Sequence, residues 1–243
     1  MHSPLSLKGD LKQNLLLAAL TAPVRESLRP NLELIELKLG DVLYGFGNDR
    51  EYVYFPTTSI LSLLNVTRNG ETTEIAVIGN DGLAGISLFM GADETPHQTL
   101  VHRAGLSYRL AARFAKNTFG REGQAMAVLL GYMQSLISQM AQTATSIQHR
   151  SVEQQLCRRL LLALDRLPSN EIDLTHESLG IMLGVRRETV SEAASKLRQA
   201  GVIRYARGRI AVLDREQLEQ RAGDGYVIAP RENLNQPARQ LAA

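Results

Sequence analysis

The apolar pattern of this chain changes period near residue 118, and that change limits what the chain can fold into. Side chains alternate across a strand and recur about every 3.6 residues around a helix, so the two periods belong to different structures. Upstream the period is two. Leu32, Leu34, Leu37 and Leu39 run into Gly40-Asp41, and Tyr52, Tyr54 and Phe55 precede Pro56. Residues 60–66 and 72–78 are strand-like runs on either side of Asn69-Gly70. Both of those turn residues tolerate positive φ, which makes the pair a strong local hairpin signal. Residues 100–110 supply more strand, and a short helix over 11–20 leads in. Many short strands separated by turns predict a small antiparallel roll or barrel.

Downstream the pattern is helical. Leu129, Met133, Leu136, Met140 and Ile147 fall at spacings of four and three, with Thr143 at the one position not held by an apolar residue. Such a narrow stripe flanked by Gln134, Ser138, Gln139 and Gln142 predicts a long helix that pairs with a second copy of the chain. A second helix follows over 151–167, with Leu156, Leu160, Leu161 and Leu164 inward, and Pro168-Ser169-Asn170 stops it.

Residues 172–213 carry the sharpest signal. Thr175 is placed to cap a short helix containing Leu179, Ile181, Met182 and Leu183. Gly184 supplies a tight turn and Val185 wedges it. A second helix from Arg186 to about Ala200 buries Val190, Ala193, Ala194 and Leu197, and Gly201 ends it. Residues 202–212 then read as strand, basic glycine turn and strand. A helix pair of this kind offers the start of its second helix to base edges in the major groove. Arg187 can bond guanine in bidentate fashion and Glu188 can accept from cytosine. The candidate DNA contacts are therefore Thr175, Arg186, Arg187, Glu188, Thr189, Ser191, Glu192, Lys196 and Arg198, with Arg204, Arg207 and Arg209 of the hairpin along the phosphate backbone.

Bulk properties narrow the alternatives. A net charge of +2 is too small to mark nucleic-acid binding, so a local basic patch must carry it. The one cysteine, Cys157, excludes an internal disulfide or an all-cysteine metal cluster, and its apolar surroundings predict an inert buried thiol. The histidines show no His-x-His spacing, and there is no phosphate loop or nucleophile elbow. No catalytic residue, metal or cofactor is expected, and a cupin-type enzyme is disfavoured. A ligand sensor without a DNA role is the remaining alternative, and the basic turn argues against it. No run of about 18 apolar residues occurs, so no membrane span is expected.

The stretch Gly184-Val185-Arg186-Arg187-Glu188-Thr189-Val190, with Leu197 and Gly201-Val202-Ile203, resembles the DNA-binding domain of the Crp/Fnr superfamily of bacterial regulators. Residues 52–56 and the Gly79-Asn80-Asp81-Gly82 turn also resemble that group. The resemblance implies an α+β fold: an N-terminal antiparallel β-roll of cyclic-nucleotide-binding type (1–118), a long dimerisation helix (119–149) and a winged helix-turn-helix (150–224); the last stretch (225–243), rich in Pro, Asn, Gln and Ala without clear periodicity, reads as a mobile tail. The resemblance also implies that Arg187-Glu188 contacts bases, and it places Glu192 where the family commonly has another arginine. Relatives that bind cyclic nucleotides use a Gly-Glu pair and an Arg-Ser or Arg-Thr pair. The stretch 82–99 has neither, so cyclic AMP is not expected. The candidate effector pocket is Ile78, Gly82, Gly85, Ser87, Leu88, His97 and Thr99, with the effector unknown or absent. The expected partners are a palindromic double-stranded DNA operator, a second copy of the chain and RNA polymerase, in a bacterial cytoplasm.

Overall fold

The computed structural model describes residues 4–5, 9–45, 51–91, 97–121, 123–167, 169–206 and 208–226. Arg207 and all of the expected tail beyond Tyr226 lie outside the described residues. Two compact units form: one takes the described chain up to Leu61 together with Ile78–Ser138, the other Ser62–Val77 together with residues 139–226.

The first unit is an antiparallel roll. In chain order it contains β1 (Pro4–Leu5), α1 (Leu15–Ala19), α2 (Ala22–Leu28), β2 (Leu32–Leu37), β3 (Val42–Tyr44) and β4 (Tyr52–Pro56). The hairpin β5 (Ile60–Val66) and β6 (Thr72–Ile78) has its root here. Next come β7 (His97–Arg103), β8 (Gly105–Ala111), α3 (Ala112–Arg121) and the start of α4 (Gly123–His149). One sheet has the order β1-β2-β8-β4 and the other β3-β7-β5-β6. In the first sheet Leu32 pairs with Leu110 and Leu34 with Tyr108, which puts the alternating leucines of β2 on the buried face. Gly70, at φ 81°, closes the β5–β6 hairpin where Asn-Gly predicts it. The helical pattern begins at Ala112, earlier than the expected change near 118.

Asn14 shows why the entry segment folds locally. Its side chain accepts from Leu17 N–H to cap α1, and its amide donates to the carbonyls of Pro56 and Gly82 at 2.9 and 2.8 Å. One buried amide thus satisfies three backbone groups. Helix α2, which the apolar pattern does not single out, begins with Pro23 in its first turn, where a missing N–H does no harm.

The second unit is helical with a small sheet. It contains the end of α4, α5 (Val152–Leu164), β9 (Glu171–Asp173), α6 (His176–Leu183), α7 (Arg187–Gln199), β10 (Ile203–Ala206), β11 (Arg209–Val212) and α8 (Arg215–Ala222). A reciprocal capping box of Ser151 and Gln154 starts α5. Its buried face includes Leu156, Cys157, Leu160, Leu161 and Leu164, as the pattern predicts. Burial pushes the Cys157 thiol up to about 12, so the thiolate is not available near neutral pH. Helix α8, which the apolar pattern does not separate, is tied to α5 by Arg221–Glu153 at 2.9 Å.

The long helix divides its apolar residues between two stripes. Leu129 and Leu136 are buried within their own unit, beside Ala125 and Tyr132. Leu130, Ile137 and Ile147 are 53%, 57% and 45% exposed. With the half-buried Met126, Met133 and Met140 and the exposed Ala144, they define a second stripe at spacings of four and three. The expected pairing seam therefore mixes the two stripes: Met133, Met140 and Ile147 belong to the open one, whereas Leu129 and Leu136 pack inside. Thr143 donates back to the carbonyl of Gln139.

Candidate nucleic-acid interface

The pair α6–α7 owes its geometry to local residues. Thr175 caps α6 by accepting from Ser178 N–H at 3.0 Å. Gly184 ends α6 in the left-handed region at φ 65°, and its N–H reaches back to the carbonyl of Ile181. Gly180 lets the chain double back: a Cβ there would lie 2.9 Å from the carbonyl oxygen of Val185. The apolar pattern marks Gly180 as an ordinary helix residue, because its necessity lies in a contact rather than in its own φ.

Helix α7 then buries Val190, Ala193, Ala194 and Leu197. Arg186, Arg187, Glu188, Glu192, Lys196 and Arg198 are exposed or half-exposed, while Thr189 and Ser191 are placed closer to the helix's buried side. Arg186 is the N-cap and makes no side-chain cap hydrogen bond. The first N–H groups of α7 thus remain open at the positive end of its dipole, beside two guanidiniums. This is a set of donors suited to phosphate or to base acceptors. None of Arg186, Arg187, Glu188 and Glu192 makes an ion pair among the described residues.

The sheet of the second unit has the order β10-β11-β9. Arg204 pairs across to Ala211 and on to Glu171, and Ala206 pairs to Arg209 and on to Asp173. Both arginines therefore share one face with both carboxylates. Arg209 lies 2.9 Å from Asp173 and 3.5 Å from Glu171, and Arg204 lies 3.7 Å from Glu171. The expected basic patch is thus locally neutral at these two arginines. All four side chains are well exposed, so these pairs are weak and exchangeable. The strand Glu171-Ile172-Asp173 carries the signal for this, since its alternation puts both acids on one face.

His176 is a member of the site that the sequence pattern does not reveal. Its ring stacks on Tyr205 at 4.2 Å between centroids, and its Nδ1 lies 2.8 Å from the Ser191 hydroxyl. That hydroxyl also bonds the carbonyl of Arg187 at 3.0 Å. Ser191, expected to face DNA, instead takes part in joining α6, α7 and β10. Burial, helped by the charge of Arg187, holds the His176 pKa below its ordinary 6.5.

In the first unit the expected effector residues serve mainly as packing. Ile78 belongs to a core cluster with Tyr44, Tyr54, Leu61 and Val101, and Thr99 is buried. A Cβ at Gly82 would run into the ring of Tyr132, whose hydroxyl donates to the carbonyl of Leu83 at 2.8 Å. A Cβ at Gly85, which sits at φ 102°, would run into the Tyr44 hydroxyl. Ser87 and Leu88 lie in a short 3-10 turn, and His97 starts β7. Residues 92–96 of the expected pocket region are outside the described residues. No group of three or more candidate metal ligands occurs among the described residues, and no helix there is long and apolar enough to cross a membrane.

A helix pair joined by a glycine turn and followed by a two-stranded hairpin defines a winged helix-turn-helix. More particularly, residues 154–221 match the Crp-like helix-turn-helix domain. Among solved structures the chain is similar to a protein of Eubacterium rectale assigned to the crp/fnr family of transcriptional regulators. That match has 17% identity and a TM-score of 0.66, covering 87% of this chain and 99% of the other. It is also similar to FixK2 of Bradyrhizobium japonicum, at 17% identity and TM-score 0.65, covering 77% and 95%. A third match is a CRP/FNR-family regulator of Thermus thermophilus, at 20% identity and TM-score 0.63, covering 78% and 98%. No curated protein matches the chain. The fold is therefore that of Crp/Fnr regulators, with antiparallel sheets, a long helix and a Crp-like helix-turn-helix in that order.

Proposed function

We propose that this protein is a sequence-specific transcriptional regulator of the Crp/Fnr type that binds a palindromic DNA operator as a homodimer. The observation that carries this reading is the start of α7, where Arg186 and Arg187 flank an uncapped helix N-terminus just beyond the Gly184 turn. Arg187 reads guanine and Glu188 reads cytosine, while Lys196 and Arg198 contact the backbone. The arginines of the wing, Arg204, Arg207 and Arg209, add phosphate contacts once Arg204 and Arg209 exchange their carboxylate partners for DNA. The open stripe Met126, Leu130, Met133, Ile137, Met140, Ala144 and Ile147 pairs two copies. The protein is not an enzyme, works without cyclic AMP and engages RNA polymerase in a bacterial cytoplasm. The stretch 82–99 has neither the Gly-Glu pair nor the Arg-Ser or Arg-Thr pair, which supports a roll that works without a cyclic nucleotide.

Selection of bound duplexes from a random pool tests this. The expected product is a two-fold symmetric sequence with half-site centres about one DNA turn apart, ~34 Å. Glu188→Ala should relax one position of each half-site by ~1–3 kcal/mol. Absence of salt-dependent duplex binding at low ionic strength would overturn the reading.

A further inference from the structure

Where α6, α7 and β10 meet, the contacts decide which nitrogen of a histidine carries its proton. Ser191 Oγ has one hydrogen and two neighbours: the carbonyl of Arg187 at 3.0 Å and His176 Nδ1 at 2.8 Å. A carbonyl only accepts, so the hydroxyl donates to Arg187. Both contacts are then hydrogen bonds only when Nδ1 carries the ring proton and donates to Ser191. Nε2 is left as the bare nitrogen, buried and without a hydrogen-bond partner among the described residues. The ring face lies on Tyr205, with 22° between the planes. One neutral imidazole thus ties the start of α6 to β10 and, through Ser191, to the backbone of Arg187.

The surroundings oppose a second proton. From α7 the Arg187 guanidinium acts on the ring, and from β10 the Tyr205 phenol covers it. Glu171, Asp173, Arg204 and Arg209 lie on the other face of the sheet from Tyr205, and on α6 the neighbouring Glu177 is exposed. A proton on Nε2 would bury a charge with no acceptor beside a guanidinium. The ring relieves this by swinging out to water, which gives up both the Ser191 bond and the Tyr205 stack. Side chains that read bases need such a supporting layer to hold them in one geometry. We propose that His176 is a positioning residue for base reading: its neutral Nδ1–H ring fixes α6 and β10 against α7 so that Arg187 and Glu188 meet the bases in register, and uptake of a proton releases them. This rests on the DNA-binding reading and deepens it.

Imidazole nitrogen NMR spectra of the full chain test the proton's position, with the His176 signals assigned by their loss in His176→Phe. A protonated Nδ1 and a bare Nε2 are expected at pH 7.5; an Nε2–H ring there overturns the proposal. Binding to the duplex recovered by operator selection is then compared with binding to a shuffled duplex from pH 8 to 5. A protonated histidine that merely met phosphate would tighten both alike, so the ratio of the two affinities is read. The ratio should be flat at the alkaline end and fall below pH 6.5, approaching about tenfold per pH unit, the limit for one coupled proton. His176→Phe keeps the stack and loses the donor. It should lower the ratio about tenfold at pH 7.5 and remove its pH dependence. His176→Asn sets an N–H in place of Nδ1–H and should recover most of that loss, again without pH dependence. Ser191→Ala should cost as much as His176→Phe, and the double variant no more than either. Loss in Ser191→Ala with none in His176→Phe means that Ser191 touches DNA itself, and overturns the proposal. A wild-type ratio that does not change with pH overturns it equally, whether or not the variants fold. If the wild-type chain binds neither duplex at low salt, the DNA reading itself has failed and takes this proposal with it.

Discussion

The long helix and the winged helix each present two sets of residues with the same chemistry, and in each one set is taken up by the protein's own chain while the other is left open. In α4 the two sets are apolar: Leu129 and Leu136 are buried, whereas Leu130 and Ile137 are more than half exposed. In the winged helix they are arginines: Arg204 and Arg209 lie beside Glu171 and Asp173, whereas Arg186 and Arg187 make no ion pair among the described residues. One residue of displacement along α4 separates inward leucine from outward leucine. One short strand, β9, separates neutralised arginine from open arginine. Residue type therefore says little about availability; the neighbours across the fold decide it.

The largest expected effect tests the α4 side of this contrast. Leu129→Ala opens a cavity in the first unit and should lower folding stability by about 2–5 kcal/mol, measured by denaturant titration. Ile137→Glu touches the open stripe only. It should leave the unfolding midpoint of each subunit nearly unchanged but give monomers in sedimentation. If Leu129→Ala instead dissociates a stable fold, the assignment of the two stripes is reversed.

The arginines come next. Arg187→Ala should weaken operator binding by ~1–3 kcal/mol and relax specificity at one position. Neutralising the wing's partners with Glu171→Gln and Asp173→Asn should change stability by less than about 1 kcal/mol, because the pairs are exposed. It should raise DNA affinity at low salt by freeing Arg204 and Arg209. Equal losses from Arg187→Ala and Arg209→Ala would erase the distinction between helix and wing.

The smallest effect concerns pH. His176 is held below its ordinary 6.5, so the unfolded chain takes up this proton at a higher pH than the folded one. The native state then binds fewer protons, and stability falls as pH drops through the unfolded value toward the folded one. His97, also lowered by burial, adds to the same fall. His176→Gln should flatten part of that acid-side loss in melting temperature measured from pH 7.5 to 5.

Much of the fold is legible because it rests on local rules. The Asn69-Gly70 hairpin, the caps at Thr175 and Ser151, the Gly184 turn and the buried face of α7 all follow from residues within a few positions of one another. Local pattern was enough for the period change from strand to helix, the order of roll, long helix and winged helix, and the Arg-Arg-Glu start of the second helix. It was not enough for relations between residues far apart in the chain. An a/d stripe looks the same whether its partner is the helix's own unit or a second molecule, so Leu129 and Leu130 were separable only once the roll was packed. Arg209 became neutralised because β11 lies beside β9, 36 residues earlier. His176 met Ser191 and Tyr205, and Glu74 met Arg159, for the same reason. Periodicity fixes which way a side chain points along its own element; what it meets there is settled by packing between elements.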